Sequence, residues 1–129
     1  MNARQRARYE ARAAVIKAMG HPTRLFLLEE LSRGERCVCE LTEMVGADTS
    51  TVSKHLSVLK SAGIVRDEKR GAQVFYSLLV PCVLNAFACV ESVLESRAKG
   101  QAALVQKRPR LLSATGLGQS TKEPNADAR

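Results

Sequence analysis

Gly46-Ala47-Asp48 divides two short runs of helical periodicity, and the chain beyond the second run switches to a period of two. Before the divide, Val38 to Val45 turns Leu41, Met44 and Val45 to one side, and Gly46 ends the run. After it, Asp48 or Thr49 can accept N–H bonds from a first helical turn. Val52, Leu56 and Leu59 then recur as an inward stripe as far as Ala62, with Gly63 as the stop. Ile64–Lys69 and Ala72–Leu79 are β-branched or aromatic runs joined by Arg70-Gly71, the pattern of a hairpin. Two helices joined by three residues led by glycine make a helix-turn-helix, and a hairpin directly after the second makes a wing. The spacing predicts a mainly α chain with a small β-hairpin, a winged helix-turn-helix.

The flanks read as helices. Residues 3–19 are rich in Ala and Arg and stop at Gly20; Pro22 suits the first turn of a second helix, where a missing N–H costs nothing. Leu25, Leu28 and Leu31, with Leu27 alongside, form its stripe, and Gly34 ends it. Pro81 opens a last helix to about Lys99, with Gly100 past its end. Beyond Lys107 the chain turns polar and carries Pro109 and Pro124, so 107–129 reads as a disordered basic tail behind one domain, 1–106. The most apolar segment, Leu78 to Val90, is 13 residues and falls short of the roughly 20 that span a bilayer. The charged start lacks the apolar stretch of a secretory signal. No membrane partner is expected, and the cytoplasm is the expected location.

A formal charge of +7 suggests a polyanionic partner. Its placement is uneven: residues 1–36 and 107–129 hold the surplus, while 37–80 balance five basic against five acidic groups. The sharper signal lies on the stretch Thr49 to Ala62. Opposite its apolar stripe stand Thr49, Ser50, Thr51, Ser53, Lys54, Ser57 and Lys60, with no carboxylate among them. A generic solvated face mixes Glu with Lys for i,i+4 pairing. A face against DNA excludes carboxylates and uses hydroxyls and lysines on phosphates and base edges. Ser50, Thr51 and Ser53, near the helix start, are the candidates for base edges; Lys54, Ser57 and Lys60 suit the backbone. His55 reads as a packed or phosphate-bonding residue, and Lys69, Arg70 and Gln73 in the hairpin suit a minor groove or backbone.

Gly20-His21-Pro22-Thr23-Arg24-Leu25, Cys37-Val38-Cys39-Glu40-Leu41, the run STVSKHLSVLKSAGIV at 50–65, the Arg70-Gly71 turn and Val74-Phe75-Tyr76 together resemble the ArsR/SmtB family, most of all its arsenic-responsive group. The likeness covers roughly residues 14–98. It implies a homodimeric winged-helix repressor of the bacterial cytoplasm, joined through its terminal helices. Such repressors bind double-stranded operator DNA and are released when a metal or metalloid binds; no permanent cofactor is implied.

Four cysteines stand at 37, 39, 82 and 89. Nothing else suggests the oxidising compartment in which disulfides persist, and a Cys37–Cys39 disulfide is expected to have poor geometry. Clustered thiols in a reducing compartment suit a soft metal ion or a redox sensor. Two residues apart on a helix, Cys37 and Cys39 would point about 200° from each other. Both could then hold one ion only if the helix start loosened, which would shift the helix at 49–62. In arsenic-responsive relatives a third cysteine follows three positions on; here that position is Thr42. Cys82 and Cys89 share one face of the last helix, about 10.5 Å apart along its axis, too far for one ion within a single helix. Two such helices antiparallel across a two-fold axis would bring Cys82 opposite the partner's Cys89. The family's intersubunit metal site begins near Cys82, but its usual Asp and His ligands are absent. The other reading fills a core, since Val83, Phe87, Val90 and Leu94 form a stripe that Ala86, Cys89 and Val93 extend.

Thiol ligands favour As(III), Sb(III), Cd(II) or Pb(II) over Ni(II) or Co(II). The expectation is therefore a repressor released by such an ion, arsenite first, with Cys37, Cys39, Cys82 and Cys89 as candidate ligands. The rivals are the same fold sensing thiol redox state or a small metabolite, and an architectural DNA-binding protein with no effector. An enzyme is not expected: the chain has no glycine-rich phosphate loop and no catalytic triad or acid pair in context.

Overall fold

A computed structural model of the chain describes residues 1–102. Its elements are α1 (Ala3–Met19), α2 (Pro22–Leu31), β1 (Arg36–Cys37), α3 (Val38–Val45), α4 (Thr49–Ser61), β2 (Val65–Arg70), β3 (Gln73–Leu78) and α5 (Val83–Ala102). The chain divides into two compact units after Asn85. The expected tail at 107–129 lies outside the described residues.

In the first unit each helix starts and stops on local chemistry. Asn2 caps α1 in a reciprocal box with Gln5, and Gly20 closes it by donating its N–H to the Lys17 carbonyl. Pro22 opens α2 as expected, but α2 ends at Leu31 on Ser32, three residues short of the sharp turn at Gly34. α3 ends at Gly46, whose φ of 79° is the left-handed conformation that glycine adopts without a Cβ penalty. Asp48, not Thr49, caps α4.

The core is compact and leucine-rich. Leu27, Leu28, Leu31, Leu41, Val52, Leu56 and Leu59 meet Ile64, Val65 and Tyr76, all buried. Each such aliphatic side chain contributes about 1.5–3 kcal/mol by leaving water. Two expected members are not in it: Leu25 is 39% and Met44 41% exposed, and Val45 is only half-buried. α2 turns Leu27 and Leu28 inward together, which rotates Leu25 toward solvent.

The hairpin is larger than expected. β1 adds to it as a third strand, in the order β1-β3-β2, all antiparallel. Arg36 stands opposite Tyr76 and Cys37 opposite Phe75. Across the wing, Val65 pairs with Leu78 and Arg70 with Gln73, and Gly71 makes the turn at φ 63°. Cys37 therefore ends a strand and, as N-cap, begins α3.

α5, taken alone, begins two residues later than Pro81 suggested and runs through Gly100 rather than ending before it. A single glycine costs a helix about 1 kcal/mol, which does not break it. Within the single chain Val90, Val93 and Leu94 are 56%, 56% and 49% exposed.

Candidate nucleic-acid interface

The turn before α4 sets how that helix is presented. The Asp48 carboxylate accepts the Thr51 N–H at 2.8 Å and the Ser50 hydroxyl at 3.1 Å. Hydrogen bonds from Thr51, then from Ser50, hold its pKa below the usual carboxylate value. With Val52, Leu56 and Leu59 fully buried, the opposite side carries Thr49, Ser50, Thr51, Lys54, Ser57 and Lys60 exposed and Ser53 half-buried. No acidic side chain lies within Thr49–Ser61. This face can donate hydroxyl and ammonium hydrogens to phosphates and base edges without opposing them.

Of the residues singled out from the sequence, Lys60, Arg70 and His55 have side-chain partners, as do Ser50 on Asp48 and Gln73 on Cys39. Lys60 donates to Asp67 of β2 at 3.0 Å, and that hydrogen bond raises its pKa. In the wing, Lys69 and Gln73 are exposed. Arg70 is held by both oxygens of Glu35, at 2.7 and 2.8 Å, and by Glu68 at 2.7 Å. Its guanidinium also lies 4.7 Å from the centre of the Phe75 ring. Glu35 was invisible as a functional residue in the sequence, because its partner is 35 positions away. His55 is half-buried: its Nδ1 lies 3.1 Å from Arg24 Nη1 and its ring centre 4.3 Å from that of His21. Burial first, then His21 and Arg24, push the His55 pKa down.

The cysteines overturn one expectation. Cys37 and Cys39 form a disulfide, with Cα atoms 5.3 Å apart. The expected divergence of about 200° supposed that both lie on the helix. Cys37 instead has extended backbone (φ −80°, ψ 158°) as the N-cap, which turns its sulfur toward Cys39 without loosening α3. Cys37 Sγ accepts the Glu40 N–H at 3.3 Å, while Glu40 accepts the Cys37 N–H at 3.0 Å. Gln73, at the start of β3, reaches Cys39 Sγ at 3.9 Å. Cys82 and Cys89 are free and exposed in the single chain. Among the described residues no three His, Cys, Asp or Glu side chains gather to hold a metal ion. No helix among them is long and apolar enough to cross a membrane.

Residues 21–67 match the family model described as bacterial regulatory protein, arsR family. That span runs from the N-cap of α2 into the wing. An uncharacterised helix-turn-helix-type transcriptional regulator of Methanocaldococcus jannaschii is 41% identical over 73 residues, 56% of this chain and 82% of that protein. The transcriptional repressor SmtB of Mycobacterium tuberculosis is 35% identical over 83 residues, 61% of this chain and 62% of the repressor. A homologue of the cadmium resistance regulatory protein CadC from Staphylococcus aureus is 42% identical over 67 residues, 51% of this chain and 55% of that protein. Among solved structures, the homodimeric winged helix-turn-helix DNA-binding domain from Mycobacterium bovis superposes with a TM-score of 0.63 at 28% identity. It covers 84% of this chain and 97% of that one. The uncharged-to-basic helix, its wing and these likenesses agree: the chain belongs to the arsR family and is a winged helix-turn-helix transcriptional repressor, not an enzyme.

Proposed function

We propose that the chain acts in the cytoplasm as a homodimer on double-stranded operator DNA, and that a thiophilic ion, arsenite first, releases it through Cys37 and Cys39. The observation that carries this reading is the convergence of the two sulfurs at the seam between α3 and the sheet. Reduced, the pair offers two thiolates to a soft ion. The ion would supply a Lewis-acidic centre that draws those thiolates to itself. Their present contacts are then at stake: the cap on the Glu40 N–H, the pairing opposite Phe75 and the approach of Gln73. α3 packs on α4, so a disturbed cap reaches the DNA-facing helix. Cys82 and Cys89 are the remaining candidate thiols, either as a third ligand from one of the subunits or as a separate pair at the dimer interface. The cadmium-resistance relative supports a metal as the signal.

On the DNA side, Ser50, Thr51 and Ser53 read base edges, and Thr49, Lys54, Ser57, Lys69 and Gln73 hold the backbone. Lys60 and Arg70 join them on leaving Asp67, Glu35 and Glu68. His55 supports from behind. Dimer formation through the terminal helices is supported by α1, which buries no side chain of its own, and by the exposed Val90, Val93 and Leu94 of α5.

The test is operator affinity in reducing buffer, on a duplex recovered by selection, with and without As(III) or Cd(II). Either ion should weaken binding, and Cys37→Ser with Cys39→Ser should abolish that response while leaving DNA binding intact. A double variant that still responds would place the sensor elsewhere. A second reading, a thiol redox switch, is favoured by the disulfide itself; it requires that a two-electron oxidant weaken binding with no metal present.

A further inference from the structure

Arg24 is the one side chain among the described residues that hydrogen-bonds both α1 and α4. Its Nε–H donates to the Ala18 carbonyl in the last turn of α1 at 2.6 Å. Its Nη1 lies 3.1 Å from His55 Nδ1, in the middle of α4. A guanidinium only donates, so His55 Nδ1 must be the acceptor and the imidazole proton must be on Nε2. The His21 ring, 4.3 Å away and tilted by 39°, also uses its Nδ1: it accepts the Thr23 N–H at 3.1 Å and caps α2. Each imidazole thus uses Nδ1 as an acceptor, and His55 does so against the permanent cation of Arg24.

We propose that Arg24 is a positioning residue of the DNA-facing helix, clamping α4 to the end of α1 through His55, and that the clamp holds only while His55 is neutral. The proposal rests on the reading of α4 as the helix that meets DNA. Adding a proton to His55 Nδ1 replaces the acceptor with a donor and sets a second cation against Arg24. Facing His55, α2 supplies His21 and Arg24. α1 supplies the Ala18 carbonyl that holds Arg24. β2 turns Asp67 to Lys60, five residues further along α4. In α3, Glu40 is turned to Cys37 and Arg36, and Glu43 makes no bond to His55. No carboxylate stabilises the imidazolium, which agrees with the lowered His55 pKa.

A histidine whose pKa is depressed in the folded state contributes fully above its unfolded value, about 6.5, and loses that contribution as pH falls below it through the lowered one. An ordinary histidine near DNA does the reverse, since added positive charge strengthens phosphate binding.

The experiment measures operator affinity by fluorescence anisotropy between pH 8 and pH 5.5 for the full chain, with circular dichroism at each pH. Wild type should lose affinity on acidification, by less than the roughly tenfold that a histidine titrating at its ordinary value would give at pH 5.5. His55→Asn, whose Oδ1 stays an acceptor and does not titrate, should flatten the profile whatever its affinity at pH 8. Arg24→Ala should weaken binding at pH 8 and also flatten it. In parallel, ¹H–¹⁵N spectra of the free protein should show His55 Nδ1 unprotonated at pH 8. Affinity that rises on acidification, a His55→Asn profile as steep as wild type, or a protonated Nδ1 at pH 8 would each overturn the clamp. A duplex bound at no pH, with the expected tautomer present, would instead refute α4 as the DNA-facing helix, and with it the proposed role of the clamp.

Discussion

α4 and the wing both carry the residues proposed to meet a duplex, yet they hold most of them in different states. On α4 the hydroxyls and Lys54 lie on a face with no carboxylate of its own, set by the Asp48 cap behind them. At the wing the main cation, Arg70, is gripped by Glu35 and Glu68 and stacked on Phe75. In the proposed DNA complex Thr49, Lys54 and Ser57 are ready, whereas Arg70 at the wing, like Lys60 and Ser50 on α4, must exchange partners first. Polyanion binding therefore has a fixed part and a releasable part, and only the first follows from residue type alone.

The largest effect should come from removing what fixes α4. Leu56 is fully buried between α4 and its neighbours, so Leu56→Ala should lower stability by about 2–5 kcal/mol, read by chemical denaturation. A loss below 1 kcal/mol would mean that the helix is not anchored by its stripe. A smaller effect should follow on the outer face: Ser53→Ala should cost about 1 kcal/mol of operator affinity with stability unchanged. Equal weakening on operator and random duplex would move Ser53 from base reading to backbone holding, and blunt the contrast with the wing. The smallest effect should come from Glu35→Gln, which frees one grip on Arg70. Affinity for any duplex should rise modestly and the salt dependence should steepen by about one phosphate contact. If neither changes, Arg70 does not reach DNA, and its carboxylate partners serve only to brace the sheet.

The same contrast explains what the sequence made legible. The bounds of α3 were readable to the residue, and those of α4 nearly so, because caps and stops such as Gly46 and Asp48 act over three or four positions. The outward composition of α4 was equally local. β1 was not readable, since two residues carry no period and its pairing depends on Tyr76 and Phe75, some 40 positions on. For the same reason Glu35 escaped notice, as did the hold of Arg24 on His55. Leu25 and Met44 were misassigned because a stripe read at spacing three to four is one residue uncertain in phase. The cysteine pair failed for a different cause. The angle of about 200° applied helical spacing to a Cys37 that stands one step before the helix, where the extended backbone reverses the direction of its sulfur.

That one step has a consequence for how a signal can travel. Cys37 closes β1 and opens α3 with no residue between, so a displacement of its backbone moves two levers from a single pivot. One lever leads through α3 toward α4, the other through β3 toward the wing tip. A ligand seated there would need no relay of side chains, because covalent connectivity is the relay. Sensing chemistry could then be exchanged at positions 37 and 39 while the parts that touch DNA stay as they are.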